Sequence, residues 1–428
     1  MLALGGPIEL SDGSTMRVDD LLGLGAQGSV YTVERAGQRL ALKWYHPRTA
    51  TQSQRQALDL LVKRGAPDRR FIWPLEVVDS AGLPGWGYLM PLRPAGQAHL
   101  GQLLRDEVPS SYTLITTLGR ELADTFLSLH AQGLCYRDIN FTNVSFDPET
   151  GIPLIMDTDN VGVDGESTSE VLGSRRFMAP EIVRAEATPS TATDLWSMAV
   201  LLFYVLMFGH PLLGRRELEF ACMNSEAESV LFGRSPVFVL DPDDPSNAPV
   251  PGRHDNVIEN WRQYPEYVRR LFTQTFTAGI ADPAERAVES QWRSALARLG
   301  DSIGQCHGCG NQLVVDLADD TRPCWSCGIP QAPPLRLSFA QGDVVLTETR
   351  LLYPHHLRRN YDYGEPFAAV ARHPLRPDRW GLTNLGSTSW WVDLPDGSDL
   401  EVLPGSTITL VRGARFRFGP VEASLVTR

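Results

Sequence analysis

At 428 residues the chain exceeds what a single hydrophobic core organises, so two or three domains are expected. Its 43% apolar and 21% charged residues lie near soluble averages and exclude wholesale disorder or a membrane-protein composition. With 51 acidic against 39 basic side chains the formal net charge is −12, which argues against nucleic acid as the principal partner while permitting a local basic patch.

The first fourteen residues, MLALGGPIELSDGS, lack a basic segment followed by an apolar core and a small-residue cleavage site, so no secretory signal is read and a cytoplasmic location is the expectation. The one long apolar run, 195–213, follows Asp194 and is broken by Gly209, His210 and Pro211. It is read as a buried helix, not a membrane span. Four of the six cysteines stand as two Cys-x-x-Cys pairs, which favours metal over disulfides; Cys135 and Cys222 are read as core thiols.

In chain order, alternating β-branched and aromatic stretches dominate up to about residue 92, interrupted by a helical segment over 52–63. The pattern then turns helical, with helices expected over 112–130, 195–208 and 291–299. The run DPDDPSNAPVPGR, 241–253, reads as an exposed loop. The Pro-rich stretch 330–334 reads as a stiff linker before a final β-rich segment.

In the strand-rich part, Gly23-Leu-Gly25-Ala-Gln-Gly28 places three glycines at a strand turn, where backbone N–H groups can approach phosphate oxygens without Cβ clashes. Such a pattern can also open a dinucleotide-binding helix. Here Ser29-Val30-Tyr31-Thr32-Val33 continues as a strand, and Leu40-Ala41-Leu42-Lys43-Trp44 follows as another, so a hairpin over phosphates fits better. Lys43 lies among apolar strand residues, where an ammonium is costly unless it meets an anion such as the α- and β-phosphates of ATP; the alternative is a lysine that reaches solvent.

Farther on, Tyr136-Arg137-Asp138-Ile139-Asn140-Phe141-Thr142-Asn143 sets an acid and an amide five residues apart in a loop. An aspartate can orient an attacking hydroxyl and accept its proton, and an asparagine one short turn later can bind a metal that bridges phosphates. Leu154-Ile155-Met156-Asp157 is a short apolar strand ending in a carboxylate, as expected of a second Mg²⁺ ligand.

On these motifs the chain resembles the bacterial eukaryotic-like (Hanks-type) Ser/Thr protein kinases over about residues 22–299. Gly173-Ser-Arg-Arg-Phe-Met-Ala179-Pro180-Glu181 is similar to the end of their activation segment, and Asp194-Leu-Trp196-Ser197 to their buried helix. The resemblance implies a bilobal kinase fold with a hinge at Leu89-Met90-Pro91-Leu92 and a Glu181 to Arg286 salt bridge. It implies catalytic Lys43, Asp138, Asn143 and Asp157. A nucleotide site would be formed by Gly23, Gly25, Gly28, Val30, Ala41, Lys43, Met90 and Leu92, with Mg²⁺ on Asn143 and Asp157. The departures are Tyr136 for the usual histidine, Asn140 for the usual lysine, and Asp157-Thr158-Asp159 for D-F-G. The helical segment 52–64 has no glutamate to pair with Lys43, leaving Asp59 as the nearest acidic substitute. Arg137 is expected to hold a phosphate on the activation segment, with Ser167, Thr168, Ser169 and Ser174 as candidate acceptors.

Cys306-His-Gly-Cys309 and Cys324-Trp-Ser-Cys327 lie fourteen residues apart, and each pair is followed by a glycine. Four thiolates at this spacing match a closed tetrahedral Zn²⁺ site, a zinc ribbon; His307 as a substitute ligand and redox chemistry are the weaker alternatives. From 335 to the end, short strand patterns alternate with turns and read as a small β-sandwich. The stretch Trp380-Gly-Leu-Thr-Asn-Leu-Gly-Ser-Thr-Ser-Trp-Trp-Val is similar to the last strands of forkhead-associated domains, which recognise phosphothreonine; Arg358, Arg359 and Ser387 are the loose candidates for such contacts.

The expectation is therefore a multidomain α+β chain: a kinase-like domain over 1–300, with lobes 1–92 and 93–300, a zinc ribbon over 301–330 and an all-β sandwich over 331–428. Its function would be ATP- and Mg²⁺-dependent phosphorylation of protein hydroxyls, and the competing reading is a pseudokinase scaffold. The combination also resembles tellurite-resistance-associated kinases, implying a phosphatase and a von Willebrand-type protein as partners, with no nucleic acid and no membrane.

Overall fold

A computed structural model describes residues 2–165, 172–316, 322–373 and 375–426. The chain forms two compact units. The first comprises Met1–Ser110, Thr117–Trp261 and Arg269–Arg293; the second comprises Ser111–Thr116, Arg262–Val268 and Ser294–Arg428.

The first unit begins with a six-stranded antiparallel sheet in the order Pro7–Glu9, Thr15–Leu24, Gly28–Arg35, Gln38–Tyr45, Trp86–Met90, Glu76–Asp79. Alternation decides which face is buried: Met16, Val18, Tyr31, Val33, Leu40 and Leu42 fill one apolar cluster on the sheet. The helix Gln52–Arg64 is capped by Thr51, whose hydroxyl accepts the Gln54 amide, and closes on Gly65 at φ 75°. It packs through Leu58 and Leu61, and the Trp73 indole donates to the Leu61 carbonyl at 2.9 Å.

The later part of this unit is helical. Thr191–Met207 is buried nearly all round, and a capping box of Ser190 and Thr193 opens it. No helix among the described residues is long and apolar enough to cross a membrane. Cys135 is buried as expected, whereas Cys222 is exposed: it sits in an irregular stretch between helices, where no apolar periodicity draws it inward. Short antiparallel pairs, Val144–Phe146 with Pro153–Ile155 and Leu134–Cys135 with Gly162–Val163, frame the loop that carries Asp138.

The second unit holds a hairpin, Ile303–Gln305 with Gln312–Val314, and two further sheets. One has six strands and the other four. Their inward residues, among them Leu337, Phe339, Val392 and Phe416 from one sheet and Leu352, Val370 and Leu382 from the other, form a common core, so the sheets pack as a sandwich. Arg350, half-buried in this unit, donates to the carbonyls of Val345, Gly300 and Ile303 at 3.0, 3.1 and 2.6 Å, which satisfies most of its fork.

Candidate active site

The glycine turn is the hairpin between Thr15–Leu24 and Gly28–Arg35, closed by a 2.9 Å bond from the Gly25 amide to the Gly28 carbonyl. At position 28 a Cβ would stand 2.5 Å from the Trp44 carbonyl oxygen, so only glycine fits. Strand register then lines up the neighbouring residues: Val30 pairs with Lys43, Lys43 with Tyr88, and Ala41 with Met90. Ala41 and Met90 are buried, Val30 and Leu92 are half-buried, and the strand ends at Met90.

The Lys43 ammonium lies 2.7 Å from Asp159 and 3.6 Å from Asp157. Burial alone would lower its pKa, but the two carboxylates outweigh burial and hold it above its ordinary value. The expected substitute partner, Asp59, makes no ion pair with it. The acid that Lys43 meets follows Asp157 by two residues, a position where the sequence showed only a missing glycine.

Asp157 ends the apolar strand with φ 48° and ψ 47°, a left-handed turn that a non-glycine residue adopts at some cost. The next residue, Thr158, is buried and donates from its hydroxyl to the Ile72 carbonyl at 2.6 Å. The Val144–Phe146 and Pro153–Ile155 pairing brings Asn143 beside Met156, whose amide donates to the Asn143 carbonyl at 2.9 Å. Asn143 and Asp157 thereby share one end of this two-strand ladder.

Asp138 is the most closely held carboxylate of the group. Its Oδ1 accepts from Ser174 at 2.9 Å and from the Asn140 amide at 3.0 Å, and its Oδ2 accepts from the Asn143 amide at 3.2 Å. Asn140 also donates to the Ser174 hydroxyl at 3.1 Å and accepts from the Thr142 amide at 2.8 Å. It bridges Asp138 and Ser174 without bringing a positive charge. Ser174, considered at the sequence level only as a phosphate acceptor, is thus part of the Asp138 setting.

The loop backbone is fixed from below. Asp194, buried in the helix Thr191–Met207, accepts from the amides of Tyr136 and Arg137, the latter at 2.9 Å. That clamp holds Arg137 at φ 75°, another left-handed non-glycine. His130 bridges Asp194, at 3.1 Å, and Glu289, and these acids overcome the effect of burial to raise its pKa to about 9. The Tyr136 hydroxyl donates to the Met156 carbonyl, which ties the loop to the strand that delivers Asp157. None of His130, Asp194 or Glu289 was assigned a site role from sequence; only the buried acid in an apolar helix hinted at one.

Arg137 is buried, with its guanidinium packed against Gly162, where a Cβ would come within 2.2 Å of it, and directed at the Val163 carbonyl at 3.4 Å. The candidate acceptors Ser167, Thr168 and Ser169 lie outside the described residues. Glu181 and Arg286 do meet, as a buried bidentate pair with both bonds at 2.8 Å.

A family model described as protein kinase domain matches residues 16–275. The chain belongs to the protein kinase family. Among curated proteins, this kinase-family chain is 29% identical over 208 residues to ribosomal protein S6 kinase alpha-4 of Homo sapiens, covering 45% of the chain and 26% of that protein. It is 35% identical over 94 residues to protein kinase gsk3 of Schizosaccharomyces pombe, covering 22% and 24% respectively. It is 29% identical over 196 residues to serine/threonine-protein kinase sck2 of the same yeast, covering 43% and 29%. The chain thus spans about a quarter of the length of the curated relatives it matches.

In the second unit the Sγ atoms of Cys306, Cys309, Cys324 and Cys327 all lie within 4.8 Å of one another. Cys306 and Cys327 are 3.6 Å apart, and Cys309 and Cys324 3.8 Å. The two knuckles repeat one backbone pattern. Cys306 N donates to Asn311 O and Gly310 N to Cys306 O; Cys324 N donates to Ile329 O and Gly328 N to Cys324 O, all at 2.9 Å. Gly310 and Gly328 take φ 76° and 72°, so the glycine after each pair is required by its turn. In the sandwich, Arg359 donates to the Gln341 carbonyl and Ser387 is exposed.

Proposed function

We propose that the chain is a protein kinase that transfers the γ-phosphate of ATP to serine or threonine hydroxyls of a protein. The supporting observation is the convergence of Asp138, Asn143 and Asp157 around one ladder end, with Lys43 held against the same segment. Asp138, its two carboxylate oxygens oriented by Ser174, Asn140 and Asn143, would orient the acceptor hydroxyl and take its proton. The oxygen donors of Asn143 and Asp157 suit a hard divalent cation such as Mg²⁺, which when bound neutralises charge on the phosphates. Lys43 would anchor the α- and β-phosphates, and Gly23, Gly25 and Gly28, with Val30, Ala41, Met90 and Leu92, would cover phosphates and adenine.

The neutral side chain of Asn140 beside Asp138 favours a second reading, a scaffold that binds nucleotide without efficient transfer. Transfer of labelled γ-phosphate from ATP to a mixed Ser/Thr peptide library decides between them. The wild-type chain should label peptides, and Asp138→Asn should lose roughly 10²–10⁴-fold in rate. Nucleotide binding by the wild type with no transfer above the Asp138→Asn background would establish the scaffold instead.

For the second unit we propose a structural zinc ion on Cys306, Cys309, Cys324 and Cys327. Sulfurs at the corners of a tetrahedron with Zn–S bonds of about 2.3 Å stand about 3.8 Å apart, and the observed separations of 3.6 and 3.8 Å fit. With four thiolates no position is left open for chemistry, so the ion's contribution would be folding free energy.

A further inference from the structure

Lys43 carries a charge in a place where charge is costly: its side chain is 9% exposed and that of Asp159 is 0% exposed. Such a pair gains from every further hydrogen bond to its charged atoms. Tyr45 lies two residues along the strand from Lys43, hence on the same face, and its hydroxyl donates to Asp159 Oδ2, the oxygen that Lys43 also meets. Tyr88 is the cross-strand partner of Lys43 and shares that face. Burial and the nearby Asp159 charge push its phenol well above its ordinary pKa. Asp159 therefore meets this face of the sheet through Oδ2, which takes the Lys43 ammonium and the Tyr45 phenol, while its Oδ1 and the neighbouring Tyr88 hydroxyl have no hydrogen-bond partner among the described residues.

The segment that delivers it is immobilised independently. Thr158 is buried and bonded to Ile72, and Thr158–Asn160 forms a single 3₁₀ turn that points Asp159 at the sheet. The helix Gln52–Arg64, by contrast, buries only Leu58 and Leu61, and its Asp59 is half-buried with no ion pair to Lys43. Composition adds a separate argument. Of the 39 basic side chains only Lys43 and Lys63 are lysines, so a chain that uses arginine elsewhere keeps lysine here. A compact ammonium suits a single carboxylate oxygen, whereas the planar fork of arginine is matched to bidentate partners.

We propose that Asp159 is the positioning residue for Lys43, holding its ammonium from the segment that follows Asp157 in place of an acid on the helix Gln52–Arg64. The role given to Lys43 rests on the kinase reading; the anchoring itself does not. In this arrangement the strand lysine is tied to the turn that follows Asp157, and movement of the helix would leave the two coupled.

The scarcity of lysine makes the test direct. Protein grown with [¹³Cε]lysine gives two side-chain signals, and Lys63→Arg assigns Lys43. In the wild type the Lys43 methylene should be restricted in heteronuclear NOE and relaxation, and that of the exposed Lys63 mobile. In Asp159→Asn the Lys43 signal should shift and gain mobility toward that of Lys63. Asp59→Asn should leave both the shift and the restriction in place. Unchanged mobility of Lys43 in Asp159→Asn, or an equal gain in Asp59→Asn, overturns the proposal. Should Asp159→Asn not fold, a wild-type Lys43 as mobile as Lys63 overturns it equally. The measurement requires no phosphate transfer, so an inactive wild type with a restricted Lys43 that Asp159→Asn releases would remove the kinase reading and leave the anchoring intact.

Discussion

Glu181 and Arg286 are joined by two parallel hydrogen bonds of 2.8 Å although they stand 105 residues apart in the chain. The guanidinium is fully buried, donates also to the carbonyls of Gly279 and Ala192 at 2.9 Å each, and lies 5.2 Å from the Trp196 ring centroid. Four of the five N–H donors of the fork are therefore engaged by Glu181, Gly279 and Ala192, so the pair closes the helical region around the end of the activation segment.

Removing one partner leaves the other charge buried and uncompensated. Arg286→Ala or Glu181→Ala should each lower unfolding free energy by about 3–5 kcal/mol, measured by urea denaturation. Arg286→Lys should recover little of it, because a single ammonium cannot make both carboxylate bonds and reach Gly279 and Ala192. Full recovery by lysine would show that charge alone, without the fork geometry, holds the pair.

The His130 bridge between Asp194 and Glu289 makes stability depend on pH. Its folded pKa, about 9, lies above the unfolded value of about 6.5, so protonation favours the folded state. The contribution is fully present below about pH 6.5 and is lost as pH rises toward 9. It amounts to roughly 3 kcal/mol for a shift of this size. Urea midpoints of the wild type should fall over that window, and those of His130→Gln should fall much less. A wild-type curve flat from pH 6.5 to 9 would contradict a charged His130.

Purified without chelator, the chain should hold one zinc ion by elemental analysis. Cys309→Ser should lose it, and amide exchange should then accelerate in the hairpin Ile303–Gln305 and Gln312–Val314, whose ends the thiolates hold together. Retention of metal with unchanged exchange protection would remove the four-thiolate site.

Much of this was legible from local signals. The glycine turn, the apolar strand ending in Asp157, the spacing from Asp138 to Asn143 and the paired cysteines are each written within a dozen residues, and local pattern is what a single sequence displays. The helices also emerged close to their observed bounds, 52–63 against Gln52–Arg64 and 112–130 against Tyr112–His130, because their apolar periodicity is strong. What escaped depended on distance. The partner of Lys43 could not be read, because Asp159 is 116 positions away and looks like a defect in a familiar triplet. The clamp of Asp194 on Tyr136 and Arg137, and the His130 bridge, require a helix, a loop and a later helix to converge. Asn140 illustrates a different limit. Its identity suggested a lost charge, whereas only its contacts reveal that it bonds both Asp138 and Ser174.

The repeated backbone pattern of the two cysteine knuckles has a consequence for how this region tolerates change. Each turn closes on itself through its own pair of 2.9 Å amide bonds and its own left-handed glycine, so neither borrows its shape from the other. Of the residues that join them, Gln312–Val314 pair with Ile303–Gln305, and the remainder set how often the two halves find each other before metal locks them. Lengthening such a tether is thermodynamically mild, about 0.6 kcal/mol for each doubling. An insertion inside either turn, between a cysteine and its glycine, would instead destroy two ligands at once. The metal centre is thus indifferent to the length of its middle and intolerant at its two ends, which makes the joining segment the natural place for evolution, or an experimenter, to add sequence.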